Sequence, residues 1–272
     1  MQRVLFVRHA QCEMNLHVTE RIGGRTNHSP LTPLGEAQAA ALGAHLRAEL
    51  AHYGVQPHRM RVFSSTAVRA VDTARHVMAA LQLDPSSLVQ SERLLELEQG
   101  EWEGAVRREC YTPQLTARFA ADPWGLAWNF AAPGGESQRQ VEARMLAYLA
   151  DCVLPGLAPG DRVIVVSHGM AIKCLLRGIL NSLPSMSRNI SMGNTAILEV
   201  GFVPRKGGTI GSSSGSGGGA AANGGSSNGN SEGVASAAAV GHGGVSPGPL
   251  GEGTWHVLRM NDLSHLPYNL RS

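Results

Sequence analysis

Arg162-Val163-Ile164-Val165-Val166-Ser167-His168-Gly169 is the stretch from which the fold can be read. Four consecutive β-branched residues without polar alternation mark a strand buried on both faces, as in a parallel sheet covered by helices. The run stops at Ser167-His168-Gly169, after which Ile172, Leu175, Leu176 and Ile179 recur at helical spacing. The unit is strand, polar turn, helix. Working outward, Gln2 to Val7 reads as a second buried strand ending in Arg8-His9-Ala10, and Met60 to Phe63 as a third ending in Ser64-Ser65-Thr66. Ala67, Ala70, Val71, Ala74, Val77, Met78 and Leu81 then follow the i, i+3, i+4 rule of a helix. Thr32-Pro33 supplies an N-cap and a first-turn proline for another helix, with Leu34, Leu42, Leu46 and Leu50 along one face. Leu88 to Leu97 is expected to hold a further strand and Glu136 to Val153 a helix stopped by Pro155, and Thr195 to Phe202 and Trp255 to Met260 read as two late strands. Strands alternating with amphipathic helices predict an α/β fold, a three-layer sandwich whose mostly parallel central sheet is flanked by helices. Ligands bind such sheets beyond the carboxyl ends of the strands, which is where the three polar clusters fall.

Between Gly207 and Gly253 the composition changes to Gly, Ser, Ala and Asn with almost no large apolar side chains, too little burial to offset the entropy of ordering the backbone. The tract is expected to be a disordered insertion between the two late strands, within one domain spanning 1–272. Six of the thirteen aromatic residues lie between Trp102 and Phe130, where helical periodicity is poor, and this predicts a small aromatic cap over the strand ends. A net charge of +2 without any dense Lys/Arg run excludes a dedicated nucleic-acid binder. The four cysteines show neither C-x-x-C spacing nor a disulfide ladder, and no apolar run is long enough to span a bilayer. With a strand directly after Met1, the chain reads as a cytoplasmic protein that engages neither membrane nor nucleic acid; a homodimer stays open.

Two histidines and two arginines at strand ends, where helix N-termini also point, form a compact positive site suited to phosphate. There is no G-x-x-x-x-G-K-[ST] for a nucleoside triphosphate and no H-E-x-x-H for a metal, so charge neutralisation falls to arginine, and no metal or cofactor is called for. Taken singly, Arg8-His9 fits a solvated turn, Arg69 a helix-surface charge and Ser167-His168 a capped helix start. Glu136 and Ser137 fit the ordinary role of helix N-terminal residues, and Asn261, Asp262 and His265 read as structural. Of the cap aromatics, Trp124 and Trp128 could both pack and touch substrate.

Together and in order, these motifs resemble the histidine phosphatase superfamily. The likeness runs from Val7-Arg8-His9-Ala10 and Asn15 through Leu31-Thr32-Pro33-Leu34-Gly35-Glu36 to Ser64-Ser65-Thr66-Ala67-Val68-Arg69-Ala70. It continues through Leu95-Glu96, Gly100-Glu101-Trp102-Glu103-Gly104, Gly134-Gly135-Glu136-Ser137 and Ser167-His168-Gly169. The resemblance implies that His9 is the nucleophile and that Arg8, Arg69, His168 and Asn15 hold phosphate oxygens. It makes Glu96 the acid for the leaving alkoxide, with Glu98 as the alternative. Because a free glutamate near pKa ~4.3 is a poor acid at neutral pH, bound phosphate is expected to raise it. The chain departs from the family where Ala10 replaces glycine and Gln11-Cys12 replace Glu-Ser or Glu-Thr. Alanine there requires ordinary backbone angles where glycine is free. The segment after the acid resembles the phosphatase branch, so the expected activity is metal-independent hydrolysis of a small phosphorylated metabolite. The alternatives are phosphoglycerate mutase-type transfer and a non-catalytic phosphate-binding relative.

Overall fold

The computed structural model describes residues 1–17, 19–122, 125–205, 250 and 253–271. The chain runs through β1 (Gln2–Arg8), α1 (Pro33–His52), β2 (Met60–Ser64), α2 (Val68–Leu81) and β3 (Val89–Gln90). Three short helices follow, α3 (Arg107–Cys110), α4 (Pro113–Ala121) and α5 (Leu126–Asn129), then α6 (Gln138–Tyr148), continued by a π turn to Val153. The last elements are β4 (Arg162–Ser167), α7 (Gly169–Leu180), α8 (Met186–Asn189), β5 (Ile197–Pro204) and β6 (Gly253–Asp262).

The sheet order is β3-β2-β4-β1-β5-β6. Pairings among β3, β2, β4 and β1 are parallel, and β5 and β6 add antiparallel. Alternation along the central strands builds the two outer layers. Val4, Phe6, Val163 and Val165 face α6 and α7, whereas Leu5, Val7, Ile164 and Val166 face α1 and α2. On α1, Leu42, Leu46 and Leu50 are buried, and Thr32 caps the helix by accepting from Gly35 N at 3.0 Å. Gly35 cannot carry a side chain, since a Cβ there would stand 1.9 Å from the Gln11 carbonyl oxygen.

Two expected strands are shorter than their apolar runs. In place of a strand over Leu88 to Leu97, only Val89–Gln90 pairs with β2, after which Ser91 Oγ accepts from Arg93 N and caps a 3₁₀ turn that turns Leu94 into the core. β5 starts at Ile197 because Thr195 has φ +58, incompatible with a strand. β5 and β6 do pair, so the Gly207–Gly253 tract connects neighbouring strands; apart from Leu250 and Gly253 it lies outside the described residues.

The cap is α3 to α5. Its rings touch in sequence, with Trp102–Tyr111 at 5.2 Å, Trp102–Phe130 at 5.4 Å and Phe119–Phe130 at 5.1 Å between centroids. Trp128 is buried under the Arg177 guanidinium at 4.4 Å, a packing role; Trp124 lies outside the described residues. No helix among the described residues is long and apolar enough to cross a membrane.

Candidate active site

Register alone brings the three polar clusters together. Arg8 at the end of β1 is level with Ser167 at the end of β4, and Ser64 at the end of β2 is level with Val166. Above these ends lies a cavity of about 520 Å³, walled by the cap and lined at its floor by Arg8, His9, Asn15, Arg69 and Glu96.

His9 Nδ1 lies 2.7 Å from the Ala10 carbonyl oxygen. A carbonyl only accepts, so Nδ1 carries the proton and Nε2 keeps its lone pair. Burial, then the charges of Arg69 and Arg8, pushes the imidazole well below the usual histidine range, so it is neutral at physiological pH. Ala10 fits without a glycine's freedom: it is fully buried, has no positive φ, and its N–H donates to Thr73 Oγ1 at 3.0 Å.

The cations are fixed by main-chain carbonyls rather than by carboxylates. Arg8 donates from Nη1 to Met192 O at 2.6 Å, while its buried Nε–H has no acceptor among the described residues. Arg69 donates to Thr26 O at 2.5 Å and Gly24 O at 3.1 Å, and to His168 Nδ1 at 3.3 Å. Since a guanidinium only donates, His168 Nδ1 is the acceptor, and the proton on Nε2 goes to Ser65 Oγ at 2.8 Å. His168 is fully buried behind His9, ring centroids 5.1 Å apart, and does not line the cavity; burial, then Arg69, lowers its pKa strongly. Asn15 Oδ1 accepts from Cys12 N and from Asn194 Nδ2, which leaves its own N–H₂ without a protein acceptor among the described residues.

Glu96 is separated from its neighbours by geometry. Its carboxylate accepts from Leu97 N at 2.8 Å, Ala171 N at 3.0 Å and Met170 N at 3.0 Å, so it caps α7, whose own N-cap residue His168 makes no capping bond. Glu98 instead pairs with Arg25 and does not line the cavity. Glu136 is not a simple helix-dipole partner either: it pairs with Arg144 at 2.7 Å and Arg25 at 3.1 Å, while Ser137 and Gln140 form the capping box of α6.

Sequence reasoning missed the brace behind His9. Asn194 Nδ2 donates to His9 O at 3.0 Å, and Thr195 N donates to Arg8 O at 3.0 Å. Thr195 holds its left-handed backbone with its hydroxyl 2.9 Å from His265 Nε2, and Asn261 Oδ1 accepts from Gly193 N. The C-terminal residues thus reach the end of β1 through one loop. Asn194 gave no signal because it lies in a loop, and Thr195 reads in sequence as the first residue of a strand. Arg107, Lys173 and Arg188 also line the cavity and belong to no strand-end motif.

Two buried imidazoles, His9 and His168, and the half-buried His265 predict a pH dependence of stability. His265 is pushed down to about 4 by burial and then by His45, in line with the downward shifts of His9 and His168. Each folded pKa lies below the unfolded value of ~6.5, so the unfolded chain takes up protons first, and stability present above ~6.5 falls as pH drops below it. The urea midpoint is expected to be lower at about pH 5 than at about pH 7.5; an unchanged midpoint contradicts neutral burial.

The family description "histidine phosphatase superfamily (branch 1)" matches residues 4–210. A 2,3-bisphosphoglycerate-dependent phosphoglycerate mutase of Rhizobium etli is 32% identical over 182 residues, 66% of this chain and 80% of its own. The mycobacterial glucosyl-3-phosphoglycerate phosphatase structure is 28% identical, with a TM-score of 0.58 over 73% of this chain and 89% of its own. A mutant phosphoserine phosphatase of Entamoeba histolytica, solved with phosphoserine, is 25% identical, with a TM-score of 0.60 over 76% of this chain and 93% of its own. Similarity thus extends to mutases and phosphatases alike, and the family match takes in all three strand-end clusters: the chain belongs to branch 1 of the histidine phosphatase superfamily.

Proposed function

We propose that the protein hydrolyses a small phosphomonoester through a phosphohistidine, without a metal ion. The observation that carries this reading is the tautomer of His9, which turns an unprotonated Nε2 into a buried site bounded by Arg8 and Arg69. Nε2 attacks phosphorus as the ester P–O bond breaks, and Glu96 gives its proton to the leaving alkoxide. Water then attacks the phosphohistidine, loses its proton to Glu96, and releases inorganic phosphate and neutral His9. Arg8 Nε–H, the Arg69 guanidinium and the Asn15 amide donate to the non-bridging oxygens. His168, bonded through Nδ1 to Arg69 and through Nε2 to Ser65, supports the phosphate site by orienting the Arg69 guanidinium. Support for a small phosphorylated substrate comes from the similar proteins named for phosphoserine and glucosyl-3-phosphoglycerate. The four free thiols, Cys12, Cys110, Cys152 and Cys174, suit the reducing cytoplasm.

The relatives named as mutases favour a second reading, in which the phosphoryl group passes to a second alcohol rather than to water. One assay separates the two: p-nitrophenyl phosphate hydrolysis with and without EDTA, beside interconversion of 2- and 3-phosphoglycerate. EDTA-resistant phosphate release exceeding isomerisation is the expected result. Loss of activity in EDTA overturns metal independence, and isomerisation without phosphate release overturns hydrolysis.

A further inference from the structure

Among the described residues, Gln82, Asn181, Thr195 and Asn261 are the non-glycine residues with a left-handed backbone. Gln82 and Asn181 stand just after the last turns of α2 and α7, the ordinary place for that conformation. Thr195 and Asn261 end no helix. Thr195, at φ +58, is the least favourable of the four, because a branched Cβ crowds the main chain in that region. Such strain persists only where the surroundings over-determine it.

The surroundings here come from the C-terminal segment. A hydroxyl has one proton, and Thr195 Oγ1 gives it to Asn194 O at 2.7 Å, so His265 Nε2, 2.9 Å away, donates to the hydroxyl. Burial pushes His265 down to about 4, so at neutral pH the ring carries one N–H, at Nε2, while its buried Nδ1 has no hydrogen-bond partner among the described residues. Asn261 Oδ1 holds the start of the same loop by accepting from Gly193 N at 2.8 Å. Fixed in this way, the loop grips the end of β1. Thr195 N–H donates to Arg8 O at 3.0 Å and reaches His9 O at 3.4 Å, and Asn194 Nδ2 donates to His9 O at 3.0 Å and to Asn15 Oδ1 at 3.1 Å. Neither Asn194, Thr195 nor His265 lines the cavity.

We infer that His265 is a positioning residue for His9. By holding the Thr195 hydroxyl it keeps a left-handed turn whose N–H, with the Asn194 amide, fixes the carbonyls of Arg8 and His9 and so the direction in which the His9 imidazole leaves the strand end. It touches no substrate and acts through the main chain alone. This rests on reading His9 as the nucleophile.

The probe is orthovanadate, which accepts a fifth ligand from a nucleophile and so reports where Nε2 stands, whether or not the protein turns a substrate over. Its affinity is measured by calorimetry on the full-length protein, with circular dichroism as the check on folding. His265→Phe, which lacks the N–H, is expected to weaken vanadate binding by at least about ten-fold, and His265→Gln, whose amide N–H₂ reaches a similar point, by less than about three-fold. Adding Thr195→Gly to His265→Phe removes the backbone penalty and is expected to bring the affinity back to within about three-fold of the unsubstituted protein. A residue that served only to hold the C-terminus in place would not be answered by a glycine seventy residues away. With His265 left in place, Thr195→Val keeps the branched Cβ but loses the hydroxyl and is expected to weaken binding, whereas Thr195→Gly is expected to preserve it; this pair carries the test should His265→Phe fail to fold. Unchanged affinity in His265→Phe, no recovery in the folded double variant, or equal affinities of Thr195→Val and Thr195→Gly overturn the inference. An unsubstituted protein that binds no vanadate overturns the reading of His9 itself, and the inference with it.

Discussion

His9→Ala is expected to lower phosphomonoester hydrolysis by at least about a thousand-fold while leaving the chain folded. The effect is large because no nearby group can replace Nε2. His168, the other imidazole, lies behind His9 with both ring nitrogens engaged by Arg69 and Ser65. Cys12 is buried, with its thiol directed at Asn15 Oδ1. Folding should survive because the strand end is also tied through its main chain: His9 N donates to Ser167 O at 2.9 Å and Asn194 to His9 O. The lost imidazole leaves the Ala10 carbonyl without this donor, at a cost of about 1–3 kcal/mol. Steady-state rates and circular dichroism of the variant provide the check. Substantial activity in a folded His9→Ala protein contradicts the assignment.

Glu96→Gln is expected to act twice. In the proposed acid role it protonates the leaving oxygen, so its loss should lower kcat for an alkyl phosphate by about 10²–10⁴ and much less for p-nitrophenyl phosphate, whose phenolate departs without a proton. As the acceptor for Leu97, Met170 and Ala171 N–H groups it also holds the N-terminus of α7. Glutamine supplies one oxygen in place of two and turns an N–H₂ toward main-chain donors, destabilising the fold by about 1–3 kcal/mol. The two effects separate experimentally. Unfolding reads the cap, whereas the ratio of rates on alkyl and aryl esters reads the proton. An equal loss on both esters would make Glu96 a structural residue only.

The sequence carried the layer order and most of the site because both rest on short-range signals. Val163 to Val166 can only be a doubly buried strand, and each strand's polar ending announces itself where apolar residues stop. Arg8, His9, Arg69 and His168 could therefore be named from the strand ends, whereas Glu96 was named only through the family resemblance. What escaped depends on contacts distant in the chain. Ser91 ends β3 early through a local cap that hydrophobicity does not register. Thr195 looked like strand, yet its left-handed backbone is supported by His265 seventy residues away. The resemblance preferred Glu96 to Glu98, and the contacts that set them apart are distant in the chain: Glu96 caps a helix 74 residues downstream, whereas Glu98 pairs with Arg25.

The most direct test of the account is to trap the phosphoenzyme. Protein mixed with a phosphomonoester is quenched in alkali within milliseconds, digested and read by mass spectrometry under conditions that preserve phosphohistidine. A single phosphoryl group on the peptide that contains His9, formed and discharged at least as fast as turnover and absent from His9→Ala, is the predicted result. Turnover without any such adduct, or an adduct on another residue, would contradict the proposal that His9 Nε2 is the nucleophile.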